Sequence, residues 1–257
     1  MRSFDINPQE VKGKLVKFIR DQCYDAGFKR GILGLSGGID SAVIAYLASI
    51  ALGPENVFGI IMPYETTSED SMVHARIIVK NLGINSQIID ISPMVNSYFQ
   101  KFPDVTPSRK GNKMARERMS ILFDLSARYE ALVIGSSNKS EILLGYGTIF
   151  GDTASAMMPL GNLYKTNVRV LAKYLAIPDE IIKKAPSAEL WPGQTDEGEL
   201  GFTYDEADKF LFNMIDLGKS NNELEKMGFK EEFIKKISDR IKKMEYKRRL
   251  PATPKDE

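Results

Sequence analysis

Residues 31–47 read GILGLSGGIDSAVIAYL: a short apolar run that breaks on two adjacent glycines and resumes as a second apolar stretch. Residues 31–35 have the length and continuity of a buried strand, and residues 41–52 are helical by composition. The same alternation continues outward. Downstream, residues 57–62 read as a strand, 67–82 as a helix, 87–91 as a strand, 112–129 as a long helix and 131–135 as a strand. Upstream, Asn7, Pro8 and Glu10 form an N-cap, a first-turn proline and an acidic N3, opening a helix that ends near Gly27. Buried-type strands alternating with helices predict an α/β fold, a doubly wound and mostly parallel sheet of Rossmann-like type.

Beyond residue 135 strands become scarce. A helix is expected over 162–176 and another from Pro178. Capping boxes stand at Thr203/Glu206 and Ser220/Glu223, and a basic helix covers 231–249. Residues 190–201, LWPGQTDEGELG, are polar and glycine-bearing and are expected to form a mobile lid loop. The expectation is one domain over 1–257, with a nucleotide-binding core in 1–176 and a mainly helical extension in 177–257.

Composition removes several function classes. The 257 residues are 43% hydrophobic, enough to close a core, and 35 basic residues balance 34 acidic ones. That balance argues against coating nucleic acid by bulk charge. A single cysteine, Cys23, excludes an intrachain disulfide framework, and a single histidine, His74, leaves no His/Cys cluster for a transition metal. The N-terminus carries charges where a signal peptide needs an apolar core, and no apolar run is long enough to span a bilayer. A cytoplasmic protein without membrane partners is expected. His74, Cys23, Met157 and Met158 read as packing residues, and Trp191 as buried packing or the cap of a closing lid.

The glycine turn carries the chemistry. Gly37 and Gly38 let the backbone curl so that successive N–H groups face one concavity, and the helix behind adds positive potential. A phosphate chain is the natural occupant. No lysine follows the glycines, which excludes the Walker A loop, and the spacing is not that of a dinucleotide fingerprint. An ordinary strand–helix turn explains the glycines but not Ser36, Asp40 and Ser41 at the same mouth. An acid beside phosphates implies an intervening divalent cation, Mg²⁺.

Residues 36–41, SGGIDS, resemble the pyrophosphate-binding motif of the ATP pyrophosphatases. The stretches GSSNKSE (135–141), LGYGT (144–148), Gly151-Asp152, PLGNLYKT (159–166), KAPSAEL (184–190) and KRRLP (247–251) are similar, in order, to those of ammonia-dependent NAD synthetases. The resemblance covers most of the chain and implies the ATP-pyrophosphatase type of sheet. It also implies amidation of deamido-NAD by ammonia through an adenylate, with release of AMP and pyrophosphate.

By position, the resemblance puts ATP contacts on Gly34, Leu35, Ser36, Gly37, Gly38, Ile39, Asp40, Ser41, Ser136, Lys165 and Ser187, with the backbone of Met62 at the adenine edge. It puts magnesium on Asp40 and Glu141, and deamido-NAD contacts on Arg116, Tyr246 and Lys247. Tyr246 stands where the family has histidine. Asp152 falls beside the ammonia site, so the catalytic set is Asp40, Glu141, Asp152 and Lys165. Read without the resemblance, Glu141 and Lys165 are solvated helix charges, Arg116 is half of a helix ion pair, Asp152 is a turn aspartate and the basic tail is a solvated face.

Ile149 and Ala156 depart from the family, where many members carry Lys and Asp, and suggest a compensated dinucleotide site. The resemblance further implies a homodimer that binds small molecules, and a separate glutaminase partner is compatible with it. Rival readings are another adenylating enzyme with this loop, such as a GMP synthetase-like or tRNA-modifying one, and a non-enzymatic nucleotide-binding module.

Overall fold

The computed structural model describes residues 3–254 apart from 103, 192, 250 and 252. Four strands form one wholly parallel sheet: β1 (Arg30–Gly34), β2 (Val57–Ile61), β3 (Asn85–Ile88) and β4 (Ala131–Val133). Their order is β3-β2-β1-β4. The order reverses beside β1, so a crevice opens at the carboxyl ends of β1 and β4, the usual ligand site of such sheets.

Helices cover both faces. On one side α1 (Pro8–Asp25), α2 (Ile39–Leu52) and α7 (Lys165–Tyr174) bury Ile19, Val43, Leu47, Val168 and Leu171 against the sheet. On the other, α4 (Ser92–Phe99) and α5 (Pro107–Tyr129) bury Val95, Met114, Leu122 and Leu125. The connection between β2 and β3 is α3 (Glu69–Leu82), capped by Ser68 and ended by Gly83 in the left-handed region. No helix among the described residues is long and apolar enough to cross a membrane.

After β4 the chain forms α6 (Lys139–Leu144), α8 (Asp179–Lys183), α9 (Asp196–Leu200), α10 (Tyr204–Leu211), α11 (Asn221–Lys226) and α12 (Glu231–Lys243). Tyr204, Phe210, Leu224 and Ile237 centre a third apolar cluster that also takes in Leu144 and Tyr164. The helical extension therefore packs directly onto the elements beside the crevice.

Several boundaries differ from the sequence expectation. The helix expected over 162–176 starts at Lys165, because Pro159–Asn162 form a tighter turn. The helix expected to reach residue 249 ends at Lys243. Its basic tail is a solvated face only in part: Lys242, Lys243 and Arg249 are exposed, whereas Lys247 and Arg248 turn back onto the carbonyls of Gly145, Gly147, Ile142 and Leu143. Arg248 thus meets carbonyls in the last turn of α6, where helical N–H partners run out, and Lys247 those of the turn just beyond it. β3 spans Asn85–Ile88 rather than 87–91, and α4 was not anticipated.

Candidate active site

A cavity of about 500 Å³ opens at the crevice, lined by the glycine turn, β2's end, one face of α5, the start of α6 and residues 184–191. The turn organises itself. Ser41 Oγ donates to the Gly38 carbonyl at 2.9 Å and accepts from the Ser36 N–H at 3.3 Å. Ser36 Oγ accepts from the Gly38 N–H at 3.2 Å. The serines thus hold the loop's shape.

Asp40, in the first turn of α2, meets α6 and α7 across the crevice. Lys165 Nζ bonds Asp40 Oδ2 and lies 3.1 Å from Glu141 Oε1. Asn138 Nδ2 donates to Asp40 Oδ1 at 3.0 Å, while Asn138 and Glu141 form a reciprocal capping box at the start of α6. Lys165 is only 3% exposed. Burial lowers its pKa, but Asp40 and Glu141 outweigh burial and the net shift is upward, so the lysine stays charged. Burial raises Glu141 to about 8, against the opposing pull of Lys165. The solvated-charge readings of Glu141 and Lys165 do not hold.

Two further acids build this centre, and the sequence gives no sign of either. Asp208 on α10 is fully buried, accepting from Ser140 Oγ at 2.5 Å and from the N–H and hydroxyl of Thr166, each at 2.9 Å. Ser140 Oγ in turn accepts the Lys165 N–H at 2.9 Å. The extension thus fixes the first turn of α7, and with it Lys165. Asp196, 4% exposed, accepts from Tyr204 OH at 3.2 Å through Oδ2, while its buried Oδ1 has no partner. It shares the electrostatic field of Lys165 and Asp40. Three carboxyl groups thus crowd one buried lysine, and burial pushes Glu141 and Asp196 toward their neutral forms.

Asp152 stands on a turn after α6. Its Oδ1 accepts the Thr148 N–H at 2.8 Å, as a turn aspartate would, but the side chain also lines the cavity. Burial raises its pKa, which suits a proton acceptor. Lys247 lines the same cavity, donating to the Gly145 and Gly147 carbonyls at 2.9 and 2.7 Å.

Other anticipated residues are placed as follows. Gly34, Leu35, Ser36, Gly38, Ile39, Ser41, Met62, Ser136 and Ser187 line the cavity, with Gly37 inside the same turn. The Met62 carbonyl is occupied by Arg118 Nε at 3.0 Å, and Ser187 Oγ donates to the Gln194 carbonyl at 2.6 Å. Arg116 is exposed and donates through Nε to the Ile149 carbonyl at 3.2 Å, outside the cavity lining. Tyr246 is 58% exposed and also outside it.

Residues 190–201 are not a bare loop. Asp196–Leu200 is a short helix capped by Thr195, and Leu190 N–H donates to Gln194 Oε1 at 2.7 Å. Glu189, at φ 48°, accepts from Ser68, Ser71 and Lys184 and ties the segment to the start of α3.

The NAD synthase family model matches residues 11–251. The chain belongs to the NAD synthase family. An ammonia-dependent NAD(+) synthetase of Fusobacterium nucleatum is 51% identical over 255 residues, covering 99% of each chain. Among solved structures, an NMN synthetase of Francisella tularensis superposes with a TM-score of 0.87 at 37% identity, covering 97% of this chain and 99% of that one. An ammonia-dependent NAD synthetase of Campylobacter jejuni, in complex with nitrate, gives 0.84 at 34% identity, covering 97% and 100%. In this NAD synthase the doubly wound parallel sheet inferred from sequence is therefore the family's own architecture.

Proposed function

We propose that this NAD synthase makes NAD⁺ from deamido-NAD, ATP and ammonia at the Asp40–Lys165–Glu141 centre. The single observation behind this assignment of roles is that Lys165, the two carboxylates, the glycine turn and Asp152 all face one cavity. The protein is a C–N ligase that uses ATP. An oxygen of the nicotinate carboxylate attacks the α-phosphorus, the bond to the bridging oxygen breaks, and pyrophosphate leaves. Ammonia then adds to the acyl carbon, gives up a proton to Asp152, and AMP leaves with the acyl C–O electron pair. The turn amides and Lys165 stabilise the negative charge of the leaving pyrophosphate.

The donor set suits Mg²⁺. The carboxyl groups crowded around Lys165 and the orphaned oxygen of Asp196 offer oxygen ligands to a cation, whose charge would favour their ionised forms. No three acidic, histidine or cysteine side chains among the described residues form a ready-made cage. One or two carboxylates completed by phosphate oxygens is how Mg²⁺ is commonly held. Asp40 and Glu141 would hold it, and it supplies charge neutralisation at the phosphates. The contacts of Ser136 and Ser187 with ATP, and of Arg116, Tyr246 and Lys247 with the dinucleotide, belong to this reading. So do a cytoplasmic homodimer and the division into a 1–176 core and a 177–257 extension.

A second substrate deserves an arm of the test. Ile149 and Ala156 replace charged residues of the dinucleotide site, and a 37% identical structure is an NMN synthetase. The decisive assay measures AMP release with ammonia and deamido-NAD, nicotinate mononucleotide or xanthosine monophosphate. The highest kcat/KM with deamido-NAD is expected. A mononucleotide preference would move the substrate, and a xanthosine preference would move the enzyme class.

A further inference from the structure

Arg118 is a cation of the cavity that the chemistry above leaves unused; of the others without a role there, Lys184 is committed to Glu189 and Arg240 to the Leu144 carbonyl. It stands on α5 two residues from Arg116, hence on a different side of that helix, and lines the cavity with Asp152 and Glu189. Its Nε donates to the Met62 carbonyl at 3.0 Å, which ties the guanidinium to the end of β2. Among the described residues its Nη groups have neither a hydrogen bond nor an ion pair. Burial pushes its pKa down to about 10, against the pull of Glu189 and Asp152, so it remains charged at neutral pH.

Neither acid is paired with it. Glu189 is committed to Ser68, Ser71 and Lys184. Asp152 spends one oxygen on Thr148 and makes no ion pair with Arg118. A desolvated guanidinium left unpaired is costly, and a ligand anion would relieve it. Three anionic groups reach this cavity in the amidation reading: the ATP phosphates, the dinucleotide's own pyrophosphate and the nicotinate carboxylate. The ATP phosphates are met by the glycine turn and Lys165, and the dinucleotide's pyrophosphate is common to deamido-NAD and NAD⁺, so it does not tell substrate from product. Arg118 instead lines the cavity together with Asp152 and feels its charge; in that reading Asp152 is the acid beside which ammonia loses its proton, and the acyl group reacts there.

We infer that Arg118 is a specificity residue that grips the carboxylate of the nicotinate ring through its Nη fork and so distinguishes the acid substrate from the amide product. This rests on the amidation reading. A guanidinium only donates, and a carboxylate only accepts, so the fork fits two oxygens. The amide product offers one oxygen and one NH₂, and the NH₂ sets donor against donor. Recognition of the substrate and rejection of the product then follow from the same group.

The test is equilibrium binding of deamido-NAD, NAD⁺ and ATP to the wild type, Arg118→Gln and Arg118→Lys, each checked by thermal melting. The wild type should bind deamido-NAD at least about 10-fold more tightly than NAD⁺. Arg118→Gln should lose about 10–100-fold for deamido-NAD, the range for a hydrogen bond to a charged group, with NAD⁺ and ATP changed less than about 2-fold. Arg118→Lys should recover part of the loss. Equal loss for both dinucleotides, loss confined to ATP, or no loss would overturn the inference. Equal binding of acid and amide by the wild type would do so without any variant. If the wild type forms NAD⁺ while Arg118→Gln keeps the preference, only the role of Arg118 fails; if it forms none, the amidation reading itself fails.

Discussion

Gly37 lies against the carbonyl oxygen of Ser71: a Cβ built on Gly37 would stand 2.2 Å from it. The glycine turn and the first turn of α3 are therefore in backbone contact, and Ser71 passes that contact on to Glu189, the residue that leads into the lid segment. Gly37 also has φ of 78°, a conformation that side chains disfavour.

Gly37→Ala should consequently act on both fold and site. The left-handed backbone alone costs about 1–2 kcal/mol, and the clash falls on backbone that cannot rotate away. A melting temperature lowered by roughly 2–8 °C is expected, with ATP binding lost. Calorimetry and ATP titration check it. A variant with unchanged melting and ATP affinity would show that the turn relaxes freely.

Glu141 makes stability depend on pH. Its folded pKa, raised to about 8 by burial, lies above the ordinary value of 4.5. Between those values the native state holds a proton that the unfolded chain has released, so stability falls as pH rises through this window. Glu141→Gln should flatten the fall between about pH 5 and 8 while weakening Mn²⁺ binding in the presence of ATP. Melting curves across pH, with and without ATP and metal, measure both. A wild-type profile that is flat or rising over this window would contradict the assignment.

Asp152→Asn separates the two chemical steps. The asparagine oxygen can still accept the Thr148 N–H, so the turn survives while the proton acceptor is lost. Exchange of labelled pyrophosphate into ATP, dependent on deamido-NAD, should be largely kept. NAD⁺ formation should drop by about 10²-fold or more and recover partly at higher ammonia or pH. Parallel loss of both activities would place Asp152 in adenylation or in folding.

Trp191 reports on the lid segment. It lines the cavity beside Leu190, whose side chain packs against Gly111 of α5. Binding of ATP and deamido-NAD together should change its fluorescence and slow proteolysis within 184–201, as the cavity fills and water leaves. Unchanged emission and equal cleavage would mean a segment already in its final place. Its hydrogen bonds to Ser68 and Ser71 make a rearrangement of side chains, rather than ordering of a loose chain, the expected event.

What the sequence determined by itself is the frame and the local chemistry. Residues 31–47 are a buried strand, a glycine turn and an apolar helix, because apolar continuity and paired glycines are local properties. The alternation that follows was enough for the parallel sheet, and SGGIDS for the phosphate turn. The Asn138/Glu141 capping box was also legible as an N-cap with an acid at N3, although α6 was not drawn from it. Tertiary structure alone decided what surrounds Lys165. Asp196 and Asp208 sit in polar, charge-rich sequence and would read as solvated acids. They are buried because Tyr204, Phe210 and Ile237 pack the extension onto α6 and α7, and an apolar cluster carries its neighbouring polar groups inward with it. Lys247 and Arg248 of the basic tail likewise read as solvated charges, and carbonyls at and just beyond the end of α6 give them partners. Burial and long-range pairing depend on which surfaces meet, and the acids that Lys165 binds, 24 and 125 positions away in the chain, reach it only after folding.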